Sequence, residues 1–169
     1  MLLLTERLAL REMTANDAEA LYRLSLVPLI ERFTGDPPLA DVAAAAALLE
    51  ERIFPQYRSY GVGRWAVVRR SDDAFLGWCG LKYLADRDEY DLGYRLFEEH
   101  WGQGYGTEAA DAVLAWGRQR LGDARIAATV LLDNASSIHV LEKIGMVRER
   151  VVEDEPGGAV AIYVAPQPG

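Results

Sequence analysis

With 169 residues, half of them apolar, the chain suffices for one domain with its own core and is short for two, so residues 1–169 are expected to form a single domain. Eighteen basic against 26 acidic side chains leave a formal charge of -8, the wrong sign for a general nucleic-acid or anionic-membrane binder. The single cysteine, Cys79, excludes an intrachain disulfide and a cysteine-rich zinc site, agrees with a reducing cytoplasm, and is expected as a buried structural thiol.

The opening "MLLLTERLALRE" lacks a basic leader, and "VAAAAALL" is too short for a bilayer, so no signal peptide or membrane anchor is expected. After Thr5, Leu8, Leu10 and Met13 alternate as in a half-buried strand. Thr14 and Asp17 have capping-box spacing before Ala18, Leu21, Tyr22 and Leu24 or Leu26, which predicts a helix ending near Pro28. "DPPLADVAAAAALLEERIFPQY" predicts a second helix, opened by its prolines and stopped near Pro55.

From Gly63, "GRWAVVRR", "AFLGWCGLKYL" and "EYDLGYRLF" predict a three-strand meander with turns at "SDD" and "ADRD". A helix over about Thr107 to Leu121 carries Ala109, Ala110, Val113, Leu114 and Gly117 on one face. "RIAATVLL" reads as a buried strand, "NASSIHVLEKIG" as a helix begun by Asn134 and stopped by Gly145, and "MVRERVVE" with "AVAIYVA" as a hairpin around "DEPGG".

The stretch "FEEHWGQGYGTEAADAVLAW" places Gly102, Gly104 and Gly106 at alternate positions before a helix. Backbone amides, a helix dipole and missing side chains at one place suit a phosphate; the alternative is a tight turn that only packs. The turn lacks the Lys-Ser/Thr pair of nucleotide-triphosphate loops and does not match the dinucleotide pattern. His100 and His139 have no metal-ligand spacing and read as solvent-facing or structural. The four tryptophans read as core or cleft wall.

Together "TERLALREMTANDAEAL", "YDLGYRL", "WGQGYGTEA" and "NASSIHVLEKIGM" resemble, in order, the motifs of the GNAT superfamily, and within it the RimJ/RimL-like branch of ribosomal-protein N-terminal acetyltransferases. The resemblance implies an α/β (α+β) fold with a central mixed, twisted sheet of about seven strands and four main helices. It implies acetyl-CoA as cosubstrate, its diphosphate held by amides near Gln103, Gly104, Gly106 and Thr107. Gln103 stands where a Lys or Arg is usual, so affinity for CoA is expected to be modest; Thr107 either caps the helix or touches phosphate. A backbone amide around Tyr94 to Leu96 would serve the thioester carbonyl.

Asp91, where the branch carries Glu, is the first candidate to accept the amine's proton, with Glu89 in reserve. The plainer reading of Asp91 is a solvated strand-end carboxylate. Asn134 is a natural N-cap and, by resemblance, meets the pantetheine arm or orders the site. Many superfamily members have a Tyr seven residues on, which is Leu141 here; the branch's Ser, three residues on, is Ser137, the candidate proton donor to the thiolate. The implied function is an N-acetyltransferase moving acetyl to a primary amine by direct attack, with no metal, in a cytoplasmic monomer or homodimer without direct nucleic-acid contact. An α-amine on a peptide, protein N-terminus or small molecule is expected, since it is less basic than lysine. The alternative is a non-catalytic acyl-CoA-binding or sensing module.

Overall fold

In the computed structural model, residues 2–154 and 158–167 are described. Strands β1 (Leu2–Leu4) and β2 (Leu8–Arg11) lead to a 3-10 turn (Ala15–Asp17) and helices α1 (Ala18–Ser25), α2 (Pro28–Thr34) and α3 (Val42–Leu48). A π-helical segment (Leu49–Ile53) joins α3 to α4 (Phe54–Tyr60). Strands β3 (Arg64–Arg69), β4 (Phe75–Leu84) and β5 (Glu89–Leu96) form the meander, followed by α5 (Tyr105–Leu121), β6 (Ile126–Leu131), α6 (Ala135–Lys143), β7 (Val147–Asp154) and β8 (Gly158–Val164). The strands form one mixed sheet in the order β1-β2-β3-β4-β5-β6-β8-β7. Only β5 and β6 pair in parallel among these neighbours.

Alternation across the pleat separates two packed layers. On one face Trp65, Val67, Cys79, Leu81, Leu92 and Leu96 meet Ala109, Ala110, Val113 and Leu114 of α5, the face predicted for that helix. On the other, Ala66 and Trp78 meet α1 and the α3–α4 helix through Leu21, Ala45, Leu49 and Ile53. Tyr57 of α4 ties this layer to the sheet: its hydroxyl donates to the Arg64 carbonyl and accepts the Met13 N–H at 3.1 Å. Asp17 fixes the entry to α1, accepting from the Thr14 N–H at 2.7 Å and from both terminal nitrogens of Arg11 at 2.8 Å. Leu24 is the buried alternative at the end of α1, while Leu26 is exposed.

Among the described residues, four features depart from the sequence expectation. Eight strands replace about seven because Leu2–Leu4 folds back on Leu8–Arg11, a pairing that three consecutive leucines do not announce by alternation. Pro28 starts α2 instead of only ending α1, since proline suits the first helical turn; the helical units are therefore five rather than four. The second predicted helix starts at Val42, where Asp41 caps it by accepting from Ala44 N–H at 2.8 Å, well after the prolines. It also continues through Pro55, which lies in the first turn of α4 just after the wider π turn, where a missing N–H costs little. Strands β7 and β8 pair as a hairpin, and residues 155–157 of the predicted "DEPGG" turn lie outside the described residues.

The Cys79 side chain is fully buried, and loss of hydration pushes its thiol up to about 12. A thiol-specific disulfide reagent is therefore expected to leave native protein unmodified at pH 8 and to label one thiol per chain on denaturation; rapid labelling of native protein would contradict this packing.

Candidate active site

The site begins where two strands part. β5 and β6 share only the pairs Tyr90 with Ile126 and Asp91 with Ala127, while β5 runs on to Leu96 against β4 and β6 runs on to Leu131 against β8. Beyond Asp91 a fork opens, with the β5 edge turned toward it. Alternation sends Asp91, Gly93 and Arg95 to the α1–α4 face and Tyr94 to the α5–α6 face, so the fork has two chemically different walls.

At its mouth the glycine turn leads into α5. Gly102 and Gly104 have φ of 70° and 81°, values at which side-chain-bearing residues are strained. Gly104 is the N-cap residue, no side chain caps the helix, and the first amide returned to the turn is that of Glu108, on the Gly104 carbonyl at 3.0 Å. The amides of Tyr105, Gly106 and Thr107 are thus first-turn donors free of intrahelical acceptors, at the positive end of a 17-residue helix. Thr107 does not cap. The Gln103 side chain turns back to donate to the Glu99 carbonyl at 2.8 Å, leaving its backbone in the turn. A Cβ at Gly106 would stand 3.1 Å from the Tyr94 ring, so glycine lets helix and strand meet closely.

Sequence reading missed Arg7, which crosses from the β1–β2 connection to this turn. Its Nη1 donates to the Gln103 carbonyl at 2.9 Å, its Nε to Glu108 at 2.6 Å, and its guanidinium lies 4.4 Å from the centre of the Tyr105 ring. Glu108 also accepts from Thr5 Oγ1 at 2.6 Å and from the Arg7 N–H at 2.8 Å. Burial pushes the Glu108 carboxyl up, but these hydrogen bonds and the Arg7 charge outweigh it and hold the carboxyl below its ordinary value. A cation absent at position 103 is thereby brought to the turn from 96 residues away. No local signal marks Arg7, since its partners are distant in sequence.

On the α5–α6 wall, Asn134 caps α6 by accepting from Ser137 N–H at 3.2 Å, as predicted from its residue type. Ser137 Oγ lies 3.2 Å from the Tyr94 hydroxyl, a second group the sequence did not single out as a proton donor. Burial pushes the Tyr94 phenol up, against a smaller opposing effect of the Ser137 hydrogen bond, so it holds its proton at neutral pH. Leu141, at the superfamily's Tyr position, is buried in the core. Leu96 ends β5, buried, and its carbonyl accepts the Trp101 indole N–H at 2.8 Å, which ties the turn to the strand.

The opposite wall carries Asp91. One of its carboxylate oxygens is 2.5 Å from Arg64, whose guanidinium also reaches the carbonyls of Gly80 at 2.6 Å and Asp91 at 2.9 Å and lies 4.9 Å from the Trp78 ring. Gly93 leaves space for that guanidinium. Asp91 is therefore no freely solvated strand end. Glu89 is held elsewhere, by Arg125 at 2.9 Å, and lines a separate groove with Arg150 and Ile162. His100 is mostly buried, its ring nearly perpendicular to that of Tyr105, and His139 is exposed. Among the described residues no group of three His, Cys, Asp or Glu side chains is placed to hold a metal ion, and no helix is long and apolar enough to cross a membrane.

A mixed sheet forked beside an amide-lined helix turn defines the acyl-CoA-dependent N-acyltransferase class. The chain belongs to the GNAT acetyltransferases: the family described as "Acetyltransferase (GNAT) domain" matches residues 7–147. It is 30% identical over 149 residues to the uncharacterized N-acetyltransferase YoaA of Bacillus subtilis, covering 88% of this chain and 84% of that protein. Among solved structures, the fold is shared with RimL, a ribosomal L7/L12 α-N-protein acetyltransferase in complex with coenzyme A (TM-score 0.85, 19% identity, 99% and 98% of the chains). It is shared also with spermidine N-acetyltransferase from Vibrio cholerae in complex with CoA and spermine (TM-score 0.81, 17% identity, 95% and 96% of the chains). The chain is thus an acetyl-CoA-dependent acetyltransferase.

Two substitutions test the turn. Gly104→Val, at positive φ and facing Arg7 Nη2, should abolish CoA binding in calorimetry while circular dichroism stays native. Arg7→Ala removes the brace on the Gln103 carbonyl and should weaken CoA about 10- to 100-fold, in line with the roughly 1.5–3 kcal/mol of a charged hydrogen bond; unchanged affinity would remove Arg7 from the site.

Proposed function

We propose that the enzyme acetylates a primary α-amine, on a peptide, a protein N-terminus or a small molecule, with the amine entering from the Asp91 wall and the thiolate leaving on the Tyr94–Ser137 wall. The observation that carries this is the division of β5: Asp91 and Arg95 on one face, Tyr94 on the other, both flanking the fork. Acetyl-CoA binds with its diphosphate at the amides of Gln103, Gly104, Gly106 and Thr107, and its thioester reaches the fork near Leu96 and Asn134. The amine nitrogen attacks the carbonyl carbon, forming the C–N bond as the C–S bond breaks. The nitrogen's proton passes to the Asp91 oxygen not held by Arg64, or to water, and the sulfur takes a proton from the Tyr94–Ser137 pair.

The α-amine preference follows from proton affinity. At pH 7 an α-amine at a peptide or protein N-terminus has a neutral fraction roughly 2.5 powers of ten above that of lysine, worth about 3.4 kcal/mol. A lysine-directed enzyme needs an unencumbered basic carboxylate to recover that difference, whereas Asp91 is tied to Arg64 and Glu89 to Arg125. Guanidinium groups along the acceptor wall also favour the neutral, nucleophilic amine.

Ser137→Ala and Tyr94→Phe should each lower kcat about 10- to 100-fold with little change in CoA affinity, measured by thiol release; full activity in both would leave the proton-donor assignment without support. Mass spectrometry should show peptides with one free α-amine and no lysine acetylated faster at pH 7 than α-blocked peptides with one lysine. The reverse order would overturn the preference.

A further inference from the structure

The acceptor wall continues into a pocket of about 250 Å³ between α1, the π-helical turn and the ends of β4 and β5. Its body is apolar: Leu21, Leu24, Leu39, Leu48 and Trp78. Its charged lining is Arg52, Arg95 and Asp36, one positive charge in excess on a chain whose net charge is -8. Arg95 is held, stacked 5.3 Å from the Trp78 ring centre and ion-paired with Asp36. Arg52 is different.

Arg52 has no ion-pair or hydrogen-bond partner among the described residues. Its neighbours one helical turn away, Leu48, Leu49, Pro55 and Gln56, carry no carboxylate, so the usual exposed-helix pairing is absent. Arg52 lies within the wider π turn of Leu49–Ile53 and lines the pocket, and such π turns recur at functional sites. The larger groove beside Glu89, about 640 Å³, offers no such signal: three arginines there face three glutamates.

We infer that this pocket selects a small, largely apolar amine that also bears a carboxylate, with Arg52 as the residue that recognises the anionic group. This rests on the proposed acetyl transfer to an amine and narrows its substrate. A volume below the roughly 300 Å³ lower end of drug-sized pockets suits one amino-acid-sized group. The excess positive charge disfavours polycations such as polyamines, whose every free nitrogen would meet arginine. A guanidinium without an internal partner is the group best suited to a planar carboxylate.

Binding and turnover test different parts of this. N-acetyl-L-leucine and its C-terminal amide, each titrated calorimetrically into the protein with saturating CoA, differ only in the charge. The acid should bind at least 10-fold more tightly, and Arg52→Gln should erase most of that difference while leaving CoA affinity unchanged. In turnover, L-leucine should exceed L-leucinamide and spermidine in kcat/KM by about 10-fold or more, although the amide's amine is the less basic and so more often neutral. Equal or tighter binding of the amide, no binding of either product, or an undiminished preference in Arg52→Gln would overturn the inference. Absence of thiol release with all three acceptors would count against the proposed reaction, while the binding measurement would still decide the pocket's selectivity.

Discussion

The proposed chemistry depends on the early parting of β5 and β6. A sheet satisfies its backbone groups by pairing, and abandoning a parallel ladder after two residue pairs leaves the β5 edge exposed to whatever enters the gap. The separation is maintained because each strand is better paired on its other side. β5 runs in register with β4 along eight positions and β6 with β8 along five. The fork is therefore held open by the rest of the sheet, with its unpaired backbone available to a thioester.

In the proposed reaction the fork also lets one strand serve two substrates. Because side chains alternate across β5, the wall facing α5 and α6 holds a phenol and a serine hydroxyl, while the wall facing α1 holds an ion pair and arginine-flanked Trp78. In that proposal acyl donor and acceptor approach from opposite faces and meet in the gap. Small residues make the donor side possible: Ala109, Ala110 and Gly106 bring α5 close enough to the sheet for its N-terminal amides to lie at the fork's mouth.

Local charge runs against the overall charge. The chain is acidic, yet Arg7, Arg64, Arg95 and Arg52 converge on the fork and its pocket, three of them fixed by carboxylates. Net charge governs long-range encounter, whereas the potential inside a partly desolvated cleft is set by the few groups lining it. The net charge of -8 thus describes the surface as a whole and not this site.

How much of this was legible in the sequence follows from the range of the forces involved. The turn announced itself because its chemistry is local: Gly104, Gly106 and the start of α5 are neighbours in the chain, as are Asn134 and Ser137, and the buried face of α5 follows from a 3.6-residue period. The four motifs likewise carried the family and with it the fold. Hidden were the features made by distant residues: the extra leucine strand, Arg7 at the glycine turn, the Tyr94–Ser137 contact, and the Arg64 clamp on Asp91. Pro55 misled because its meaning depends on whether it falls inside a helix or in the first turn after a wider one, and only packing decides that. Sequence determined which residues are able to bend, cap, bury or ionise; the tertiary structure decided which of them share a wall, since pairings across 27, 43 and 96 residues depend on sheet register, which local propensity does not encode.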